Sequence, residues 1–506
     1  MAAILAAAAD GCPGLGQDGG MPEWDADQLA QLASSLPADY AALRFQRVRT
    51  AVHTRRDTQP QADVDHDDVG VGVRVLLDGC WGYAATDDLS EAGVRSAAER
   101  ALALARVAAP TTLTPVVLAD EPRHVGEWAS PHQVDPFSLT ARDRADFLTW
   151  GCDRLLSADG VDHTEGHVMA VREDTRYADS AGTRTTQRRV RVHAEFSAIT
   201  VTSSGFESMR TIAPPAGRGW EYVTTDGPHD WAAELAELPA HLAAKAQAPS
   251  VEPGTYTLVL HPSNLWLTIH ESVGHATELD RIRGYEANYA GTSFVGSDDL
   301  GQLRYGSPHM NVRADRVEPH GLATVAWDDE GVAAQDWSLI TDGTLVDVQL
   351  DRAMAATLGR RSNGCAYADS AAHVPIQRMP NVSLQPDPEG GDLDSLIAGV
   401  DDGILVVGDG SWSIDMQRYN FQFTGQRFER IRAGRRAGPL RDVAYQGRTP
   451  SFWGSLAAVG GPETYELGGA VNCGKGQPGQ VAPVSHGCPA AVFDGVNILN
   501  SAQEAG

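Results

Sequence analysis

The clearest alternation in the chain runs over Thr185–Ser204, where Val190, Val192, Ala194 and Phe196 share one face and Arg189, Arg191, His193 and Glu195 the other. A period of two predicts a half-buried antiparallel strand. β-rich runs also predict strands at Tyr40–His53 and Val69–Leu77, the second meeting Asp78-Gly79 and then Cys80-Trp81-Gly82-Tyr83-Ala84. Two such runs around Asp-Gly read as a hairpin. The polar, acidic stretch Thr54–Asp68 is expected to be a loop. Helices are predicted at Asp27–Leu36, from a Ser90 cap to Ala108 before Pro110, and over Ala141–Ser157.

Residues 1–20, rich in Ala and Gly, are expected to be disordered, and residues 213–219, rich in turn residues, form the best linker candidate. An amphipathic helix over Asp230–Ala246 and a strand over Thr255–His261 follow, leading into the run Leu265–Asp280. Beyond it the chain turns Gly- and β-rich, with strands predicted at Ala323–Trp327, Leu345–Leu350, Gly403–Val407 and Ile414–Thr424. The predicted fold class is α+β: an N-terminal α+β domain over 21–220, then a mostly antiparallel β-rich domain over 221–506 with the helix of the Leu265–Asp280 run packed on it.

Composition changes this picture in three respects. A chain of 506 residues is too long for one hydrophobic core, which supports two domains. With 67 acidic against 40 basic residues, the formal charge of −27 argues against a sequence-independent grip on nucleic acid or on an anionic membrane. Cysteines at 12, 80, 152, 365, 473 and 488 form no C-x-x-C pair and read as reduced thiols. The apolar run Ala2–Ala9 has no basic residue near it, so it does not read as a signal peptide, and no stretch is long and apolar enough to span a bilayer. A cytoplasmic location is expected.

The candidate chemistry sits at His270-Glu271-Ser272-Val273-Gly274-His275. In the zinc-protease motif H-E-x-x-H the histidines share a helix face and the glutamate acts as base. Here the spacing is one residue longer, so a regular helix would turn the second ring by roughly 140° from the first. A π-type turn corrects this, and Gly274 lowers its steric cost, so local unwinding is predicted at Ser272–His275. A hydrolytic zinc site needs a third ligand. Cys473, in a Gly-rich run with Lys475 nearby to favour thiolate, is the first candidate, Cys488 the competitor and Cys365 a weaker one. The segment His163–His167 resembles half of the zinc-deaminase signature, but its P-C-x-x-C partner is missing, so a plain loop or strand edge is expected there.

The H-E-x-x-x-H run, the Asp351–Asn381 stretch and the Cys473-Gly474-Lys475 loop together resemble the TldD/PmbA family of zinc metallopeptidases, specifically its catalytic TldD-like branch. The segments Gly72–Val75, Asp78-Gly79 and Trp81–Thr86 are similar to that family's opening hairpin. The resemblance implies Zn²⁺ held by His270, His275 and Cys473, with Glu271 as the catalytic acid–base. Glu278 and Asp280 match acidic positions after the motif and would orient the imidazoles. The family places Arg352, Arg360, Arg361, Asn363, Tyr367, His373 and Arg378 near the active cleft; of these, Asn363, Tyr367, His373 and Arg378 are the substrate-binding candidates. It also implies short or unfolded peptides as substrates, peptide natural-product precursors included, and a heterodimer with a TldE/PmbA-like paralogue. The tail around His486 and Cys488 departs from the Gly/Val-rich run expected there and leaves room for a specialised chemistry. Two other readings stand beside this one. One is a non-catalytic regulatory partner, given the family's association with DNA gyrase modulation and toxin–antitoxin control. The other is a biosynthetic enzyme reusing the zinc site.

Overall fold

The computed structural model describes residues 23–203, 205–476 and 478–504, so the expected disordered segment 1–20 lies outside the described residues. The first sheet is built from β1 (Tyr40–Arg56), β2 (Gln59–Leu77), β3 (Cys80–Thr86), β4 (Val125–Ala129), β5 (His163–Asp179), β6 (Arg184–Thr202) and β7 (Gly205–Arg210). Its order is β3-β2-β1-β5-β6-β4, with β7 on the edge of β6. Helices Ala26–Ser35, Glu91–Ala108, Ala141–Leu156 and Trp231–Gln247 cover one face, burying residues such as Leu43, Val73, Phe196 and Trp231. The cap foreseen at Ser90 is in place, its side chain accepting from Gly93 N–H, and the helix expected over Ala141–Ser157 opens on a capping box of Thr140 and Asp143 that was not foreseen.

The expected loop Thr54–Asp68 is instead the far half of the β1–β2 hairpin, whose two-residue turn falls at Asp57-Thr58. Its few apolar residues, Ala62 and Val64 among them, form no strand pattern, and most of the segment is exposed. Register is held by backbone pairing on both sides of β1, since β5 runs alongside as far as Glu165. Cross-strand ion pairs Arg47–Asp67 and Arg49–Asp65 add to it. The polar face of β6 is a second departure. Arg189 and Arg191 do not face solvent; they are buried and hold Glu173 at 2.6 and 2.9 Å. Burial alone would raise the Glu173 carboxyl pKa, but the two guanidinium groups outweigh it and bring it down to about 2. Tyr367 donates to the same carboxylate, and Arg44 pairs with Asp329, so this charged face is where the second half of the chain docks.

That second half opens with β8 (Gly254–Leu260), followed by β9 (Val312–Asp315), β10 (Asp336–Thr341), β11 (Thr344–Leu345), β12 (Ala366–Tyr367), β13 (Ile376–Gln377) and β14 (Asn381–Leu384). It continues with β15 (Asp402–Ile414), β16 (Asn420–Arg432), β17 (Arg435–Leu440), β18 (Val443–Arg448), β19 (Leu456–Val459), β20 (Glu466–Lys475), β21 (Gln480–Cys488) and β22 (Ala491–Asn500). The path β15-β8-β22-β18-β16 closes because β15 also pairs with β16, which makes a barrel. Among the described residues its pairings are antiparallel except β8–β15. Leu258, Leu260, Ile404, Val406, Phe423, Tyr445 and Phe493 share one core with Leu265 and Ile269 of the helix Pro262–Ile269. Asn264 and Tyr445 pin that helix, Asn264 donating to the carbonyls of Gly408 and Thr424 and accepting from the Tyr445 hydroxyl.

Three predicted strands come out differently. Ala323–Trp327 is irregular apart from a bridge between Trp327 and Ala333, and Leu345–Leu350 is a strand only in its first residue. Ile414–Thr424 is split by a turn, because the Asp415 carboxylate accepts from the N–H groups of Gln417, Tyr419 and Asn420. No helix among the described residues is long and apolar enough to cross a membrane.

Candidate metal centre

The helix Pro262–Ile269 starts at a His261 cap and runs without a break into a π turn over His270–Gly274. The defining bond is His275 N–H to the His270 carbonyl, five residues back. It lies slightly earlier than the predicted Ser272–His275 and has the expected effect: the two rings come to 4.7 Å, centroid to centroid. Gly274 has another reason than backbone strain, since its φ of −54° and ψ of −61° are ordinary helical values. A Cβ there would collide with the sulfur of Met379, so the glycine serves close packing.

Cys473 arrives on β20, beside a bulge between Ala470 and Cys473 in the β20–β21 ribbon. One ligand atom from each of His270, His275 and Cys473 lies within 4.8 Å of the others, and all three side chains are buried. Each imidazole is oriented from behind. His275 donates from Nδ1 to Glu278 Oε2 at 2.9 Å, which leaves Nε2 facing Cys473 Sγ at 3.5 Å. His270 makes its Nδ1 bond to His486 Nε2 at 2.7 Å. Two nitrogen lone pairs and a sulfur thus converge, a donor set suited to zinc. Burial would raise the Cys473 thiol pKa, but His275 and Arg378 outweigh it and favour the thiolate.

Lys475 does not serve the thiol as expected. It is fully buried and binds Glu278 Oε1 at 2.9 Å and Asp280 Oδ2 at 2.8 Å. Burial alone would raise the Glu278 pKa, but Lys475, His275 and Arg281 hold it well below the usual carboxylate range. Asp280 therefore touches neither imidazole through any described bond and acts as a counter-ion to Lys475. Lys475→Met is expected to cost about 3–5 kcal/mol of stability, because it leaves buried Asp280 without its paired cation and Glu278 with Arg281 alone. Denaturant unfolding of the metal-free protein checks this, and an unchanged midpoint would refute it.

Glu271 sits between the two histidines and accepts from Arg418 Nη1 at 2.6 Å. Arg418 comes from the β15–β16 turn, at a positive φ of 61°, and no motif in the sequence pointed to it. The centre opens into a cleft of about 710 Å³. His167, Met169, His193 and Arg210 of the first sheet form one wall; Trp266, Leu267 and the β20 run Glu466–Gly474 form much of the other. His167, dismissed with its motif as a strand edge, is on β5 as a wall residue of this cleft.

The substrate-binding candidates are elsewhere. Asn363 is buried, donating to the Val348 carbonyl and accepting from Leu350 N–H. Tyr367 is spent on Glu173, and His373 on Asp369 at 2.6 Å. Arg378 donates to the carbonyls of Cys473 and Gln480, so it holds the ligand loop from behind. None of the four lines the cleft, and each side chain makes its described bonds within the fold. Arg352 packs on Tyr40 and donates to the Ala119 carbonyl, Arg360 pairs with Asp347 and Arg361 lies near Glu121. Cys488 donates to the Pro262 carbonyl and Cys365 to Asn363, so neither joins the His–His–Cys cluster.

Comparison with known proteins fits this geometry. Residues 253–500 match the family model of the PmbA/TldA metallopeptidase C-terminal domain, and residues 41–105 match that of the PmbA/TldA metallopeptidase domain 1. A metalloprotease of Methanothermobacter thermautotrophicus is 26% identical over 471 residues, covering 92% of this chain and 97% of the relative. A zinc metalloprotease TldD homologue of Saccharolobus solfataricus is 21% identical over 429 residues, covering 84% of this chain and 90% of its own. The crystal structure of TldE from Thermococcus kodakarensis has the same fold, with a TM-score of 0.72 at 16% identity, covering 93% of this chain and 99% of that one. The class so defined is that of the metallopeptidases. Within it, this chain belongs to the TldD/PmbA family.

Proposed function

We propose that this protein is a zinc-dependent peptidase of the catalytic TldD-like branch, hydrolysing short or unfolded peptides. The observation that carries the reading is the convergence of His270, His275 and Cys473 with a carboxylate, Glu271, beside them in an open cleft. A zinc ion held by these three residues would supply an acidified water and polarise the scissile carbonyl. The chain's own residues do the rest. Glu271, kept ionised by the flanking histidines and Arg418, takes a proton and returns it to the leaving amine. β20 presents a backbone edge along the cleft with no strand partner other than β21 among the described residues, which suits an extended peptide. Such recognition reads backbone more than side chains, and precursors of peptide natural products fall within it.

In this reading the chain acts as two domains, the first walling the cleft that the second equips; the division expected between 21–220 and 221–506 falls after Gln247, since the helix Trp231–Gln247 shares the core of the first sheet. A TldE-like paralogue is the proposed partner, supported by the shared fold of the Thermococcus TldE. The test is peptide hydrolysis by the chain with and without such a partner, before and after zinc removal. Chelation is expected to abolish hydrolysis and one equivalent of zinc to restore it. Activity that survives complete zinc removal would refute the reading.

A further inference from the structure

The two histidines of the centre are oriented by different means. His275 leans on a carboxylate, whereas His270 leans on a second imidazole, His486, contributed by β21. His486 in turn bonds through Nδ1 to the Val382 carbonyl at 2.8 Å. A carbonyl oxygen can only accept, so the proton of the neutral His486 ring is on Nδ1 and its Nε2 carries a lone pair. Nε2 must then accept from His270, which places the His270 proton on Nδ1 and leaves its Nε2 free. The ring is fully buried, Trp266 lies parallel to it at 6.3 Å between centroids, and the backbone beside it is held by Gly487 N–H donating to Ser383.

We infer that His486 is a positioning residue of the metal centre, locking His270 in the tautomer whose Nε2 can ligate. The inference rests on the metal reading above. It also gives the departure noted in the tail after Cys473 a purpose: the Val382 carbonyl directs His486, and His486 directs His270. An imidazole in this role adds no negative charge, unlike Glu278 behind His275, so the two ligands are supported unequally.

The test uses the full chain stripped of metal and titrated with zinc against a chromophoric chelator. His486→Leu and His486→Met remove the acceptor and are expected to weaken zinc binding by about 10–100-fold. His486→Gln, which keeps an oxygen acceptor, is expected to bind near the wild-type Kd. Wild-type affinity in the Leu and Met variants, even with a lowered melting temperature, would make His486 merely structural and overturn the inference. Ring-nitrogen NMR spectra of the zinc-free wild type, independent of any variant, should show His270 protonated at Nδ1; protonation at Nε2 would overturn it as well. A wild-type chain that binds no zinc overturns the metal reading itself, and this inference with it.

Discussion

Glu271→Gln is expected to lower peptide hydrolysis by about 10²–10⁴-fold, the usual worth of a positioned acid–base group, while leaving the zinc content unchanged. The side chain sits within the π turn between the two histidines, and its carboxylate is fixed by Arg418. Burial alone would raise its pKa, but His270, His275 and Arg418 outweigh the penalty and hold it below the usual carboxylate range. The group is therefore an anion at neutral pH. Glutamine has the same size and can still accept from Arg418, so the turn and the ligands keep their places. Only proton transfer is lost. Steady-state kinetics with metal analysis of the same preparation checks both halves; a variant hydrolysing at the wild-type rate would remove Glu271 from its role.

Cys473→Ala is expected to strip the centre. Wild type should carry about one zinc per chain, as a three-ligand site holds. The alanine variant should carry little after dialysis, because only two imidazole ligands remain and the anionic ligand of the three is lost. Cys488→Ala serves as the control. Its sulfur faces the Pro262 carbonyl rather than the cluster, so metal content should match wild type. Elemental analysis of the three preparations decides: loss of zinc with Cys488→Ala alone would move the third ligand and undo the site as drawn. Chemical reactivity of the Cys473 thiol in the metal-free protein gives a second reading, since His275 and Arg378 favour its thiolate.

Much of the first half was legible because its signals are local. The alternation of Val190, Val192, Ala194 and Phe196 reports the core face of β6, and Ser90 reports the start of a helix through its own side chain. The π turn was legible for the same reason: a spacing of five between two histidines is a statement about one helix. Where the reading failed, the deciding contact came from elsewhere in the chain. Thr54–Asp68 has no apolar signature, and β5, more than a hundred residues on, is what continues the sheet beside β1. Arg189 and Arg191 look like a solvent face until Glu173 and Tyr367 close over them. Asn363, Tyr367, His373 and Arg378 carry the right groups for a substrate, but each side chain bonds within the fold and none lines the cleft.

By itself, the sequence determined the α+β character, the Ser90 cap, a local distortion of the helix between the two histidines and the short list of sulfur donors. These depend on neighbours within a turn or two, where spacing and side-chain chemistry are enough. Only the tertiary structure decided which cysteine meets the histidines, how β15 closes a barrel on β16, why Arg418 is the residue that grips Glu271, and that His486 stands behind His270. The contacts of Cys473, Arg418 and His486 join residues more than a hundred apart, and although β15 and β16 are neighbours in sequence, their barrel closes only because β8, β22 and β18 fill the path between them; such meetings depend on the packing of whole strands rather than on any pattern along the chain.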